Sequence, residues 1–280
     1  MAKQRRVSLS PGELFQGRVQ FSAANAHYIE RVLRLKPGER IIVFDGSTEH
    51  LIALDRCRRG EVSGHVLGST GRAAHEEFDL ALAFACIRPG PLEEILRHGT
   101  ELGVSRFIPV LTRRCTRRPG ERKERWESVV ASAAAQSGRV RVPVVEEPID
   151  LDELLLRQDV PAHRILLSVC PGSAALPDVL EAWPAAGRTM LVGPEGGLEA
   201  AEAARALAAG FIAASLGPRT LRTETAALVA VGVAMMWRGR VKARSTEASD
   251  CAVPLAGEDP RGRPDSATAA CPQNAGVGDD

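Results

Sequence analysis

From Leu80 to Trp237 the chain alternates short apolar runs with longer segments of helical periodicity, and that alternation leaves few folds open. The runs are LALAFACI, VSRFIPVLT, RILLSV, TMLVG and FIAASLG. Uninterrupted apolar runs fit strands buried on both faces of a sheet. Between them lie PLEEILRHGTELG, with Pro91 near its start and Gly103 at its stop, ERKERWESVVASAAAQSG and LEAAEAARALAAG. TETAALVAVGVAMMW closes the series as an apolar helix. Strands alternating with helices predict an α/β domain built on a parallel sheet.

The amino-terminal part follows different rules. Residues 5–72 read as β-rich. A strand at Ile41–Phe44, a turn at Asp45-Gly46 and a strand at His50–Leu54 make a hairpin, and EVSGHVLGS supplies another strand. NAHYIERVLRLKPGE reads as a short helix that buries Ile29, Val32, Leu33 and Leu35 and presents Arg31 and Arg34 on its other face. GSTGRAAHEEF (68–78) reads as a linker. Beyond Arg240 bulky apolar residues nearly vanish, so residues 241–280 are expected to be a disordered tail. The domains expected are therefore 1–72, 73–240 and the tail.

A length of 280 residues suits about two domains. Aromatic residues are 4% of the chain, so aliphatic side chains must fill the core. Net charge is +1, which argues against a global field for nucleic acid, but residues 1–72 carry twelve basic and seven acidic groups and 113–125 carry seven and two. The six cysteines form no C-x-x-C pair and no histidine stands at zinc spacing, so neither a metal site nor a disulfide framework is expected; Cys86 reads as a core residue. No secretory signal and no membrane-length apolar run is present, which leads to the expectation of a cytoplasmic protein.

Two of the apolar runs end in Gly-Pro loops, LVGPEGGLEA (191–200) and LGPRTLRTETAA (216–227). In an open α/β sheet, ligands bind beyond the carboxyl ends of the strands. Glycines let the backbone approach a ligand closely, and the N-terminus of a following helix offers free N–H groups. The first loop is neither a P-loop nor G-x-G-x-x-G, and by itself a plain tight turn explains it equally well. The second crowds Arg222 and Glu224 around Thr223, itself a plausible N-cap. The structural alternative for Arg222 and Glu224 is a buried ion pair.

These loops, at this spacing, resemble the carboxyl-terminal signature of the RsmE-type 16S ribosomal RNA uracil-N3 methyltransferases, within the SPOUT class of S-adenosylmethionine (SAM)-dependent enzymes. The resemblance extends through TELGV (100–104), QSGRVRVP (136–143) and HYIERVLRLKPGERIIVFDG (27–46), and covers roughly residues 5–238. It implies a PUA-like β-barrel RNA-binding domain followed by an α/β domain with a deep carboxyl-terminal trefoil knot, and a homodimer that would account for the apolar closing helix. It also implies a SAM site made of Leu191, Gly193, Pro194, Glu195, Gly196, Gly197, Leu216, Gly217, Leu221, Arg222, Thr223 and Thr225. No metal is implied, because the sulfonium is already activated.

Uridine N3 carries a proton, so its methylation needs a proton acceptor and a cation for charge developing on the uracil oxygens. The resemblance points to Arg222 as the cation, with Glu224 as acceptor or as the group that orients Arg222, and to Arg139 as a residue that positions RNA. Arg5, Arg6, Arg31, Arg34, Arg113 and Arg114 are the expected contacts to 16S rRNA of the small ribosomal subunit. The chain departs from the family pattern at Pro91, Arg97-His98, Arg113 and Ala135, all expected to flank the active cleft. Two alternatives therefore stand beside the main reading: a SPOUT methyltransferase acting on another RNA site, and a non-catalytic RNA-binding protein of the same fold.

Overall fold

A computed structural model describes residues 5–58, 60–73, 78–115, 123–168, 172–182 and 187–250, with side chains for all but 72–73 and 239–250. Met1–Lys242 form one compact unit. Its amino-terminal part is a six-stranded sheet in the order β1-β4-β5-β6-β3-β2. The strands are β1 (Arg6–Ser8), β2 (Leu14–Phe15), β3 (Arg18–Gln20), β4 (Arg40–Phe44), β5 (Thr48–Arg58) and β6 (Glu61–Ala73). Between β3 and β4 lie α1 (Ala23–His27) and a π-helical turn, Tyr28–Val32. Ile29, Ile41, Val43, Ile52, Leu54 and Val62 form the core of this part.

Two expectations change here. The helix expected after Asn25 is broken into α1 and the π turn, so Val32 is left exposed rather than buried. The stretch expected as linker is, as far as Ala73, the last part of β6. Its small polar residues pair with β5 from His50↔Ser69 to Thr48↔Ala73, because outward-facing positions of a hairpin arm need no apolar side chain.

The second part is an eight-stranded sheet ordered β10-β8-β7-β13-β11-β14-β12, with β9 also on β8, and every pairing in it is parallel. The strands are β7 (Leu80–Ala85), β8 (Arg106–Leu111), β9 (Val144–Val145), β10 (Ile149–Asp150), β11 (His163–Leu167), β12 (Ala174–Ala175), β13 (Arg188–Val192) and β14 (Phe211–Ser215). All six residues of β7 and all five of β13 are buried, as continuous apolar runs require. The helices are α2 (Pro89–Leu102), α3 (Lys123–Ser137), α4 (Leu151–Leu156), α5 (Leu176–Glu181), α6 (Ala200–Ala208) and α7 (Thr223–Asp250). Pro89 rather than Pro91 is the first residue of α2. Gly103 ends that helix at φ 112°, and a side chain there would collide with Met235 on α7. The sheet has a core on each face, one around Phe84, Phe107, Trp126 and Ala230, the other around Ile108, Leu154, Leu191 and Phe211. α7 runs to Asp250, so the backbone of 241–250 is helical where a disordered tail is expected; residues 251–280 lie outside the described residues.

The two sheets meet through Arg6. Its guanidinium pairs with Glu49 at 2.5 Å, with both side chains almost wholly buried, and donates to the carbonyls of Ala134, Ala135 and Arg139 at the end of α3. It also stacks over Phe44, 4.7 Å from the ring centroid, and Phe44 packs with Ala134 and Val140. Arg6 is thus withdrawn from the expected RNA-binding set: a buried cation needs its carboxylate and carbonyl partners and has no surface to offer a phosphate. Removing one member of such a pair strands the other charge. Arg6→Ala or Glu49→Ala should therefore lower unfolding free energy by about 3–5 kcal/mol, whereas the double replacement Arg6→Met with Glu49→Leu should recover most of that loss; urea denaturation of the four proteins checks it.

Candidate active site

Three strands of the second sheet deliver the site. β11 lies between β13 and β14, with Leu166 level with Leu191 and Leu167 level with Ala214. All three are parallel, so their carboxyl ends open side by side at one edge. β13 runs into Gly193–Gly197, a turn closed by the Gly197 N–H donating to Pro194 O at 2.8 Å, with Gly197 at φ 70°. α6 then starts with a capping box in which Glu199 caps and Glu202 reaches back to the Glu199 N–H. β14 runs into Gly217, whose φ of 111° suits only glycine, and the chain turns there into α7.

Thr223 ties the two loops together. Its hydroxyl donates to Gly193 O at 3.0 Å, and the residue is 2% exposed. The expected N-cap role is not what its hydroxyl performs; instead the Arg222 carbonyl accepts the Ala226 N–H at 2.8 Å. The loops enclose a cleft of about 290 Å³. Of the residues expected to hold a ligand, Gly193, Pro194, Glu195, Gly196, Gly197, Leu216, Gly217, Leu221 and Thr223 line it. Leu166, Leu167, Ser168, Val192, Leu198, Ala203, Arg219, Thr220 and Ala226 line it as well and were not expected. The β11 contribution had one signal, a third apolar run ending in a small polar residue, but its place between the other two strands is a matter of strand order.

Three expected residues stand elsewhere. Leu191 alternates with Val192 along β13, so its fully buried side chain joins the core on the opposite face of the sheet. Arg222 and Thr225 are exposed at the start of α7, outside the cleft lining. Arg222 and half-buried Glu224 form no ion pair with each other, so the buried-pair alternative does not describe them. Arg139 donates through Nη1 to Thr100 O at 2.9 Å and Val104 O at 2.7 Å. That guanidinium satisfies the end of α2 and does not line the cleft.

The basic residues divide in the same way. Arg5 is exposed but paired with Glu39 at 2.9 Å. Arg31 and Arg34 are exposed and carry no partner among the described residues, and Arg34 sits at φ 53°. Arg114 donates to Gly196 O at 2.7 Å and buttresses the first loop from outside. The backbone N–H of Arg113 donates to Glu202 Oε1 at 2.8 Å while its side chain stays exposed. Among the described residues no cluster of His, Cys, Asp and Glu could hold a metal ion.

A cleft floored by aliphatic side chains and walled by glycine backbone suits a flat, partly apolar ligand with polar edges, such as a nucleoside. Its volume stands near the lower end of the range for small-molecule sites.

Comparison with known proteins agrees with that geometry. A family model described as an RNA methyltransferase domain matches residues 74–235, and one described as an RNA methyltransferase PUA domain matches residues 21–50. The ribosomal RNA small subunit methyltransferase E of Synechocystis sp. is 34% identical over 81% of this chain and 75% of its own length. That of Bacillus subtilis is 31% identical over 73% and 84%. The crystal structure of the Neisseria gonorrhoeae ribosomal RNA small subunit methyltransferase E bound to S-adenosyl methionine superposes with a TM-score of 0.75 at 30% identity, over 84% of this chain and 98% of that one. By sequence, by fold and by the cleft at the ends of β11, β13 and β14, the chain belongs to the ribosomal RNA small subunit methyltransferase E family.

Proposed function

We propose that this protein transfers a methyl group from SAM to N3 of one uridine in the 16S rRNA of the small ribosomal subunit. The observation that carries the reading is the cleft closed by the Thr223–Gly193 hydrogen bond, in a chain of this family. The residues present fit SAM: the glycine backbone of 193–197 and 217 leaves room for close approach, and Leu167, Leu216 and Leu221 offer apolar surface for an adenine ring. SAM supplies a methyl group already activated on a sulfonium, so no metal enters the reading.

Base chemistry falls to α7. Arg222 is an exposed cation, unpaired among the described residues and flanked in sequence by the cleft-lining Leu221 and Thr223, and it meets charge on the uracil oxygens. Glu224 takes the N3 proton; its separation from Arg222 favours that task over orienting the arginine. Both stand in or beside the first turn of α7. The uridine must be unpaired to reach them. Arg31, Arg34 and the Arg113 side chain remain as the free cations of the expected RNA-binding set and serve phosphate contacts.

A homodimer belongs to the same reading. Val229 and Met236 are 42% and 77% exposed on α7, seven residues apart and so on one stripe of the helix, with Gly232 and Val233 between them. An apolar stripe on an otherwise packed helix fits a second copy of the chain. A cytoplasmic setting follows from the rRNA substrate, and no described helix is long and apolar enough to cross a membrane.

The deciding experiment is transfer from labelled SAM to 30S subunits that lack the N3-methyluridine mark, with the modified nucleotide mapped by mass spectrometry. Label at one uridine N3 is expected; label at another atom or in another RNA would overturn the assignment. Arg222→Ala should lower kcat by about 10²–10³ and leave SAM affinity near normal, and near-normal turnover in that variant would remove Arg222 from the chemistry. Thr223→Val frees the two loops: stability should fall by about 1 kcal/mol in thermal melts, and calorimetry should show weaker SAM binding. Met236→Asp places a charge on the apolar stripe and should shift sedimentation from dimer to monomer.

A further inference from the structure

The cleft between the two Gly-Pro loops is walled by glycine backbone and apolar side chains except at a few points. Of the side chains that line it, only Glu195 and Arg219 carry charge. They belong to opposite loops. Glu195 lies in the first, inside the turn that the Gly197 N–H closes on Pro194 O at 2.8 Å and that Arg114 supports through Gly196 O. Arg219 lies in the second, which is pinned at both ends. Ser215 Oγ accepts the Gly217 N–H at 3.1 Å and donates to Gly217 O at 3.2 Å, and Thr223 is tied to Gly193 O. Pro218 restricts the backbone directly before Arg219.

Neither charge is used inside the protein. Both residues are exposed, they form no ion pair with each other, and neither side chain has a hydrogen-bond or ion-pair partner among the described residues. Arg6, Arg114 and Arg139 behave otherwise, since carbonyls or a carboxylate take up each of them. Arg222 is free as well but lies outside the cleft lining. Arg219 is therefore the one cation among the described residues that lines the cleft.

A matching ligand brings one anion and one cation to an otherwise apolar wall. A phosphate would be drawn to Arg219 and repelled by Glu195. A bare nucleoside needs neither charge. An α-amino acid end needs both. Its carboxylate suits the planar fork of a guanidinium, which binds two oxygens at once, and its ammonium, a donor only, suits a carboxylate. Taking a carboxylate out of water beside leucine side chains is costly unless such a partner is present.

We propose that Arg219 and Glu195 form the subsite for the amino-acid end of SAM, with Arg219 on its carboxylate and Glu195 on its ammonium. This rests on the reading of the cleft as a SAM site and adds what sets specificity there. Leucine side chains and glycine backbone hold the adenosine part and would hold any adenosine thioether equally well. The two charges select the ligand that also carries an amino acid. With the adenine ring held at one end and the carboxylate at the other, the sulfonium between them is held in place as well.

Calorimetry on the full chain without RNA tests the subsite with SAM, with decarboxylated SAM, which keeps the sulfonium and the ammonium, and with methylthioadenosine, which has no amino-acid end and no charge. The wild type should bind SAM about tenfold more tightly than decarboxylated SAM. Arg219→Ala should lose that preference by weakening SAM alone, and Arg219→Lys should keep part of it, because the charge stays while the fork is lost. Glu195→Gln should weaken SAM and decarboxylated SAM alike, several-fold, and leave their ratio as in the wild type. Methylthioadenosine should bind the wild type and every variant equally, which also shows that the cleft is folded in each. Equal wild-type affinity for SAM and decarboxylated SAM, or a preference that survives Arg219→Ala, would overturn the role of Arg219; unchanged SAM affinity in Glu195→Gln would overturn that of Glu195. Loss of methylthioadenosine affinity in Arg219→Ala would make the residue a prop of the loop and overturn the subsite. Normal SAM binding by that variant with weaker binding of 30S subunits would place Arg219 on RNA phosphate instead. A wild type that binds neither SAM nor methylthioadenosine is a separate outcome, and it would overturn the SAM reading itself.

Discussion

Three parallel strands lie side by side in the order β13-β11-β14, and the chemistry of this protein depends on that adjacency. Parallel pairing sends all three carboxyl ends to one edge of the sheet. Two of them turn into glycine-rich loops, and the third places Leu166, Leu167 and Ser168 between those loops. The Thr223 hydroxyl then fastens one loop to the other through Gly193 O. With a different strand order the same loops would face different neighbours and no cleft would form.

Charge is used more sparingly than a count of arginines implies. Of the six arginines expected to meet RNA, one is buried in an ion pair that joins the two sheets, one supports the first Gly-Pro loop and one is paired with Glu39 at the surface. Arg139 satisfies the end of α2. A guanidinium carries five donors, so wherever carbonyls converge an arginine serves as a multidentate strut. In a chain with only four lysines, arginine has to supply structural and recognition cations alike.

The first loop receives support from outside the cleft as well. Glu202 accepts the N–H of Glu199, the cap of α6, and the Arg113 N–H, and Arg114 reaches Gly196 O. The turn at 112–115 therefore acts as a bracket on the loop, and the sulfur of Cys115 is set into that bracket by Thr112. Two of the positions expected to depart from the family pattern make backbone contacts, the Arg113 N–H to Glu202 in this bracket and the Ala135 carbonyl to Arg6 at the sheet junction. Backbone groups carry both interactions, so the side-chain changes at these positions leave the scaffold intact.

Much was legible in the sequence because it depends on local rules. Apolar runs without interruption gave the buried strands, Gly103 gave the stop of α2, and the paired Gly-Pro loops gave most of the cleft lining. Tertiary structure alone decided the rest. The sheet order brought β11 into the site; the pleat turned Leu191 away from the cleft while leaving Val192 in it; the packing of two sheets buried Arg6. Periodicity reports which face of an element is apolar, whereas which elements become neighbours is fixed by contacts between residues far apart in the chain.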